Sequence, residues 1–111
     1  MNTEFNINDV SNPKVVLKQL HLYYSKNKDL ELSTRKNKKY MVKNNDNKYI
    51  HFGDIRYDDF SKHKDKKRQL NYLKRASNIK GNWKKDIYSP NMLSQILLWN
   101  GYDYLKDKGI V

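Results

Sequence analysis

The chain has 111 residues, a length that fits one domain with one modest hydrophobic core. Its net charge of +11 favours a partner that carries phosphate or carboxylate groups, and the lack of cysteine excludes a disulfide framework, a thiolate nucleophile and a Cys-type zinc site. No apolar run approaches the roughly 18 residues of a membrane span, and the N-terminus lacks the basic and apolar parts of a signal peptide, so we expect a protein that neither enters a membrane nor is secreted.

The first predicted element is a helix from about Pro13 to Lys26. Asn12 can cap it, and Pro13 suits the first helical position. Apolar residues then recur at spacings of three and four, at Val16, Leu17, Leu20, Tyr23 and Tyr24. We expect residues 1–10 to be a flexible N-terminus and residues 11–111 to form a single small α+β domain.

A β-hairpin is predicted next. The runs KKYMVK (38–43) and KYIHFG (48–53) are rich in strand formers and are joined by NNDN, which tolerates a tight turn. Tyr40 and Val42 should share one face of the first strand, and Ile50 and Phe52 one face of the second. The stretch LELS (30–33) is compatible with a short third strand.

The segment after the hairpin, IRYDDF, is expected to be irregular and anchored by Ile55, Tyr57 and Phe60. A helix is then predicted from Lys66 to about Ser77, with Asp65 as its N-cap. On that helix Leu70 and Leu73 should face the core. The opposite side should carry Arg68, Tyr72 and Arg75, which are spaced by four and three.

The C-terminal part should be helical as well. Trp83 is expected to pin a connector, and Ser89-Pro90 is a second typical helix start. The apolar stripe of that helix is Leu93, Ile96, Leu97 and Trp99, and Asn100-Gly101 should end it. With one further turn in the tail, the prediction is an α+β fold with an N-terminal helix, a β-hairpin with or without a third strand, and two to three C-terminal helices.

Positive charge is concentrated in two segments. Residues 62–85 hold ten Lys or Arg against the single acid Asp65, a net charge of +9, and residues 34–49 have a net charge of +5. Such clustering is typical of a surface that meets nucleic acid or an acidic partner. It is also compatible with a solvated helix face and a lysine-protected edge strand. The excess of Lys over Arg and the many Asn residues further suggest an AT-rich coding sequence as one source of the charge.

The residues expected to contact nucleic acid or an acidic partner are Lys62, Lys64, Lys67, Arg68, Tyr72, Lys74, Arg75, Lys84 and Lys85. The basic ones would neutralise phosphate or carboxylate groups without base specificity. Tyr72 could stack on a base or belong to the core, whereas Trp83 and Trp99 are expected in the core.

No catalytic signature accompanies this charge. HKD at residues 63–65 lacks the spacing of phospholipase D-type phosphodiesterases, and there is no Gly-rich phosphate loop, nucleophile elbow or zinc spacing. We therefore expect a protein that is not an enzyme and uses no cofactor or metal. One alternative is a metal-dependent nuclease site built from His51, Asp54, Asp58, Asp59 and His63.

Residues 49–83 and the later LLWN resemble a short basic protein family of nucleocytoplasmic large DNA viruses. The shared elements are His-Phe-Gly at 51–53, Tyr-x-Asp-Phe at 57–60, His-Lys-Asp at 63–65, Tyr-Leu-x-Arg at 72–75, Asn-Trp at 82–83 and Leu-Leu-Trp-Asn at 97–100. The chain departs from that pattern at Ala76-Ser77, where a His is common, and at SPNMLSQI, where the family has Gly-Phe-Trp-Ser.

The resemblance implies a viral accessory protein or virion component, such as a minor capsid or genome-associated protein, located in the virion, the host cytoplasm or the viral factory. Three functions stay open from the sequence. They are a non-enzymatic protein that binds nucleic acid or an acidic surface through a basic face, a capsid cement that makes only protein contacts, and the nuclease.

Overall fold

The computed structural model describes residues 5–111, which form an α+β fold as the sequence predicts. The helices are α1 (Pro13–Tyr23), α2 (Phe60–His63), α3 (Lys66–Ser77), α4 (Pro90–Leu93) and α5 (Tyr102–Asp107), and the strands are β1 (Glu31–Leu32), β2 (Lys38–Lys43) and β3 (Tyr49–Asp54). The described residues also contain two 3₁₀ helices, Ile7–Asp9 and Asn82–Lys85, and a π-helical turn, Ser94–Leu98. None of these helices has the length and apolar character needed to cross a membrane.

The sheet is antiparallel with the strand order β1-β2-β3, so the third strand is confirmed. Tyr40 lies opposite Phe52, and Val42 lies opposite Ile50. Because side chains alternate along a strand, Tyr40 and Val42 share one face of β2 and Ile50 and Phe52 one face of β3, as predicted, and the register places both pairs on the same face of the sheet. That face belongs to the hydrophobic core.

Helices from both ends of the chain cover the sheet. Both α4 and the π turn contact β3, and α1 contacts the π turn. Val16 and Leu20 of α1 are fully buried in the same cluster as Met92 and Leu97. α1 ends at Tyr23, three residues before the predicted end, because Tyr24 leaves the helical conformation; its hydroxyl donates a hydrogen bond to the Ile87 carbonyl at 2.7 Å.

The predicted bounds of α3 are confirmed. Oδ1 of Asp65 accepts hydrogen bonds from the backbone N–H groups of Lys67 and Arg68, which fixes the start of the helix. The prediction for the inner face is right for Leu73, which is 3 % exposed, and wrong for Leu70, which is 44 % exposed. Leu70 faces solvent because the inner face of α3 is completed by the later residues of the helix, Ala76 and Ser77.

The helix predicted from Pro90 is not a single α-helix. After α4 the chain widens into the π turn, in which the Trp99 N–H donates to the Ser94 carbonyl at 3.2 Å, five residues back. Gly101 then brings the chain against α3, since a Cβ at this position would lie 2.6 Å from Cδ2 of Leu73.

Two further predictions fall in short segments. Phe60 packs against the core as expected, but Tyr57 is 64 % exposed and does not anchor the irregular segment. The prediction of a flexible N-terminus falls partly on residues 1–4, which lie outside the described residues. Within residues 5–10, Ile7 is buried in the core.

Candidate nucleic-acid interface

A cleft of about 510 Å³ opens beside α3, and we call it the α3 cleft. One wall is the side of α3 that carries Arg68, Asn71, Tyr72 and Arg75. These four residues recur at intervals of three and four, so they lie on one stripe of the helix. The remaining lining residues include Lys38, Gly53, Tyr57, Asn91, Ser94, Leu98 and Trp99.

Two stacked aromatic rings form part of the cleft lining. The ring centroids of Tyr72 and Trp99 lie 4.1 Å apart, with an angle of 10° between the ring planes. Burial raises the pKa of the Tyr72 hydroxyl to about 12, although Ser94 and the Arg75 guanidinium act in the opposite direction. Of the two roles considered for Tyr72, base stacking and core packing, the structure shows a part-buried ring with Trp99 on one face.

Ion pairs hold the acidic groups at the cleft. Arg56 Nη2 lies 2.7 Å from Oδ2 of Asp54, and Arg68 Nη2 lies 2.7 Å from Oδ1 of Asp58. The hydrogen bond from Arg56 lowers the pKa of Asp54 to about 2, and that from Arg68 lowers the pKa of Asp58. Both carboxylates are therefore ionised and already partnered at neutral pH.

Arg75, unlike Arg68, is not paired with a carboxylate of the described residues. Its guanidinium lies 5.8 Å from the centre of the Tyr72 ring, and within residues 5–111 it makes no ion pair. A guanidinium held over an aromatic ring keeps its hydrogen-bond donors. Arg75 can therefore bind an anion in the cleft without first breaking a salt bridge.

The predicted lysines lie elsewhere on the surface. We call them the lysine set: Lys62, Lys64, Lys67, Lys74, Lys84 and Lys85. All six are exposed, none lines the α3 cleft, and none makes an ion pair with a described residue. Lys62 and Lys64 precede α3, Lys67 and Lys74 lie on its outer side, and Lys84 and Lys85 follow it. α3 has 12 residues and is therefore about 18 Å long. The structure thus separates the predicted residues into three in the cleft and six on the outer surface.

Several cleft residues were missed by the sequence reasoning. Asn71 follows Arg68 by three residues, so helical spacing alone could have identified it. Lys38 and Leu98 have no such signal, because they reach the cleft through the pairing of β2 with β3 and through the π turn.

The residues suggested for a nuclease are each engaged in other contacts. Asp59 is 1 % exposed and lies 3.0 Å from Nζ of Lys39, and His63 Nδ1 accepts a hydrogen bond from the Asp65 N–H at 2.9 Å. His51 Nδ1 lies 2.7 Å from the hydroxyl of Ser33. Within residues 5–111, no three His, Asp or Glu side chains gather in a group that could hold a metal ion.

A family of unknown function (DUF5754) matches residues 28–76 of the chain. The matched segment contains the three strands, α2 and all of α3 except its last residue. Arg68, Tyr72 and Arg75 of the cleft therefore lie inside it. No curated protein and no solved structure matches the chain.

Proposed function

We propose that this protein is not an enzyme and that it binds nucleic acid without sequence specificity through the lysine set. The observation that carries the proposal is the state of these six ammonium groups, which are exposed and have no carboxylate partner in the described residues. Unpaired surface cations are the groups that phosphates can recruit at no cost in existing salt bridges.

The arrangement also fits an extended polyanion better than a single small anion. Phosphates of one strand of a duplex follow each other at about 3.4 Å along the axis, so the roughly 18 Å of α3 spans several of them. Within the helix, Lys67 and Lys74 are seven residues apart and lie on the same side. They could contact two separate phosphates.

A salt-titrated gel shift with duplex and single-stranded DNA tests this function. Replacing Lys67 and Lys74 by Gln should weaken binding and make the slope of log K against log salt shallower by about 1.8 for a duplex, since each phosphate contact contributes about 0.9. The matched control is Lys14→Gln with Lys18→Gln, which removes the same charge from exposed positions of α1. Equal slopes for the two double variants would contradict the proposal.

The second candidate is a capsid cement with purely protein contacts. It is favoured by Leu70, an exposed apolar side chain on the outer side of α3 near Lys67 and Lys74. A surface that combines apolar and cationic groups can bind an acidic protein surface. The cement should show no affinity for DNA at a physiological ionic strength of about 0.15 M in the same gel shift.

We propose further that the protein is an accessory or structural component of a large DNA virus, located in the virion or the viral factory. The support is the ordered set of elements between His51 and Asn100 that resembles a family of such viruses. Detection of the protein by mass spectrometry in purified virions would test the location, and its confinement to infected-cell lysate would contradict a structural role in the particle.

A further inference from the structure

We propose that the α3 cleft binds one nucleotide unit, meaning a phosphate joined to a flat base, either as a free nucleotide or as the 5′ end of a single strand. The choice of ligand class rests on the proposed function. The surface is a different one, because the lysine set does not line the cleft.

The size of the cleft selects a small ligand. Its volume of about 510 Å³ lies within the range of roughly 300–1,000 Å³ that is usual for pockets that enclose one small molecule. A duplex is too wide to enter such a space, whereas a single unpaired nucleotide is of the right order of size. The cleft is thus suited to one unpaired nucleotide, whereas the lysine set is suited to the phosphate backbone.

The cations of the cleft provide a place for the phosphate. Arg75 makes no ion pair in the described residues, and the planar fork of a guanidinium matches two phosphate oxygens. Lys38 is a further exposed cation of the lining that makes no ion pair with a described residue. Lys39 also lines the cleft, but its ammonium is held by Asp59 and is not available.

The remaining lining suits a base. Tyr57 is 64 % exposed and offers a ring for stacking, with the Arg56 guanidinium 5.9 Å from the centre of that ring. Leu98 and Trp99 supply buried apolar contact surface. The amide of Asn71 and the hydroxyl of Ser94 can hydrogen-bond to the edge of a base.

The two acids of the cleft offer acceptors that a simple polyanion does not use. The carboxylates of Asp54 and Asp58 are paired with Arg56 and Arg68, and lone pairs not used in these ion pairs can accept hydrogen bonds from hydroxyl and amino groups. A ribose hydroxyl and the exocyclic amino group of adenine are such donors. A lining that mixes free cations, carboxylates and an exposed aromatic ring therefore matches a nucleotide better than an inorganic anion or a continuous strand.

The test is isothermal titration calorimetry with AMP and with adenosine. Arg75→Gln should weaken AMP binding by about tenfold or more, because a charge-assisted hydrogen bond is lost, and adenosine should bind the parent protein as weakly as AMP binds the variant. Lys80→Gln is the matched control, since it removes the same charge from an exposed residue that lies outside both the cleft and the lysine set. Its AMP affinity should stay within about twofold of the parent.

NMR provides a readout at the site itself. The indole N–H signal of Trp99 should shift on AMP addition, while that of Trp83, whose N–H donates to the Ile79 carbonyl at 2.7 Å outside the cleft, should not. Comparing AMP with 5′-phosphorylated and unphosphorylated oligo(dA) of eight nucleotides distinguishes the two sources of the ligand. A Trp99 shift that occurs at lower concentration with the 5′-phosphorylated strand than with the unphosphorylated strand or AMP assigns the cleft to strand ends, and a Trp99 shift with AMP alone assigns it to free nucleotides.

Failure of this inference is distinguishable from failure of the proposed function. Absence of AMP binding, or equal loss in Arg75→Gln and Lys80→Gln, would overturn the nucleotide site while leaving the salt-dependent gel shift intact. AMP binding that depends on Arg75 without any gel shift would support the cleft and overturn the nucleic-acid function.

Discussion

The residue with the least expected environment is Lys39. It lies in a segment whose net charge of +5 is typical of an exposed basic surface, yet its side chain is 2 % exposed. Its ammonium donates to Oδ2 of Asp59 at 3.0 Å and to the Val10 carbonyl at 3.3 Å. Asp59 in turn accepts a hydrogen bond from Ser61. No local signal marks a strand lysine as buried, because its partner lies twenty residues away in the sequence.

Removing one member of this pair should be costly. Asp59→Ala leaves an unpaired ammonium in the interior, and we expect the free energy of unfolding to fall by about 3–5 kcal/mol. The control is Asp54→Ala, which breaks the pair with Arg56, an exposed guanidinium, and should cost at most about 1 kcal/mol. Urea denaturation of both variants measures the difference.

Replacing both partners extends the same comparison. Lys39→Met combined with Asp59→Leu removes both charges and should recover part of the stability that Asp59→Ala loses. Similar losses for Asp59→Ala and Asp54→Ala would show that the buried pair contributes no more than a surface pair.

Asp54 provides a prediction on pH. Its pKa is about 2, below the ordinary value of 3.8, chiefly because Arg56 donates hydrogen bonds to the carboxylate. A lowered pKa means that the pair stabilises the fold above pH 3.8 and that this contribution disappears as the pH falls through about 2. In Arg56→Gln the carboxyl should titrate closer to 3.8, as measured by carbon-detected NMR. An unchanged midpoint in that variant would assign the shift to another cause.

Among the elements, α3 was the easiest to predict and also contained the clearest error. Its ends follow from local chemistry, since Asp65 caps the first turn and the hydrogen bonds lie within three residues. Which leucine is buried depends instead on what packs against the helix. Leu70 and Leu73 lie close together on a helical wheel, and contacts from distant segments, such as the approach of Gly101 to Leu73, distinguish them.

The contact at Gly101 leads to a prediction for this element. In Gly101→Ala the new methyl group would lie 2.6 Å from Leu73 Cδ2 and 2.7 Å from the Gln95 carbonyl oxygen, so α3 and the π turn must move apart. Overpacking of this kind costs about 1–3 kcal/mol. Thermal unfolding measures the loss, with Gly109→Ala as control.

The control separates crowding from backbone conformation. Gly109 has open space around its Cα and a φ of 73°, so an alanine there meets conformational strain but no steric contact. If Gly101→Ala proved as stable as the parent, the close approach of α3 to the π turn would be flexible enough to absorb a methyl group.

For the whole molecule, the sequence predicted which helices and strands form better than it predicted how they pack against each other. The fold class, the β-hairpin and the starts of α1 and α3 follow from alternation, apolar spacing and the residues at the helix starts. The α3 cleft could be predicted only on its helical side, because its other walls come from β2, β3 and the π turn. Contacts between segments so distant in sequence leave no periodic pattern.

The dependence of the core on residues from both ends of the chain predicts whether a fragment should fold. The segment matched by the family, residues 28–76, contains the sheet and most of α3 but lacks Val16, Leu20, Met92 and Leu97, which complete the core. Expressed alone, it should give an NMR amide spectrum with little dispersion, whereas the full chain should give a dispersed one. A dispersed spectrum of the fragment would show that residues 28–76 fold without the flanking helices.

The π turn has a consequence for how such chains can vary in length. A π turn is equivalent to an α-helix that has gained one residue, and each residue added to or removed from a helix rotates everything beyond it by about 100°. Deleting one residue between Ser94 and Leu98 would restore an ordinary helix and turn Trp99 away from Tyr72. A relative with a one-residue gap at this point should therefore have lost the tryptophan, the tyrosine or both, since neither ring would have the other to pack on.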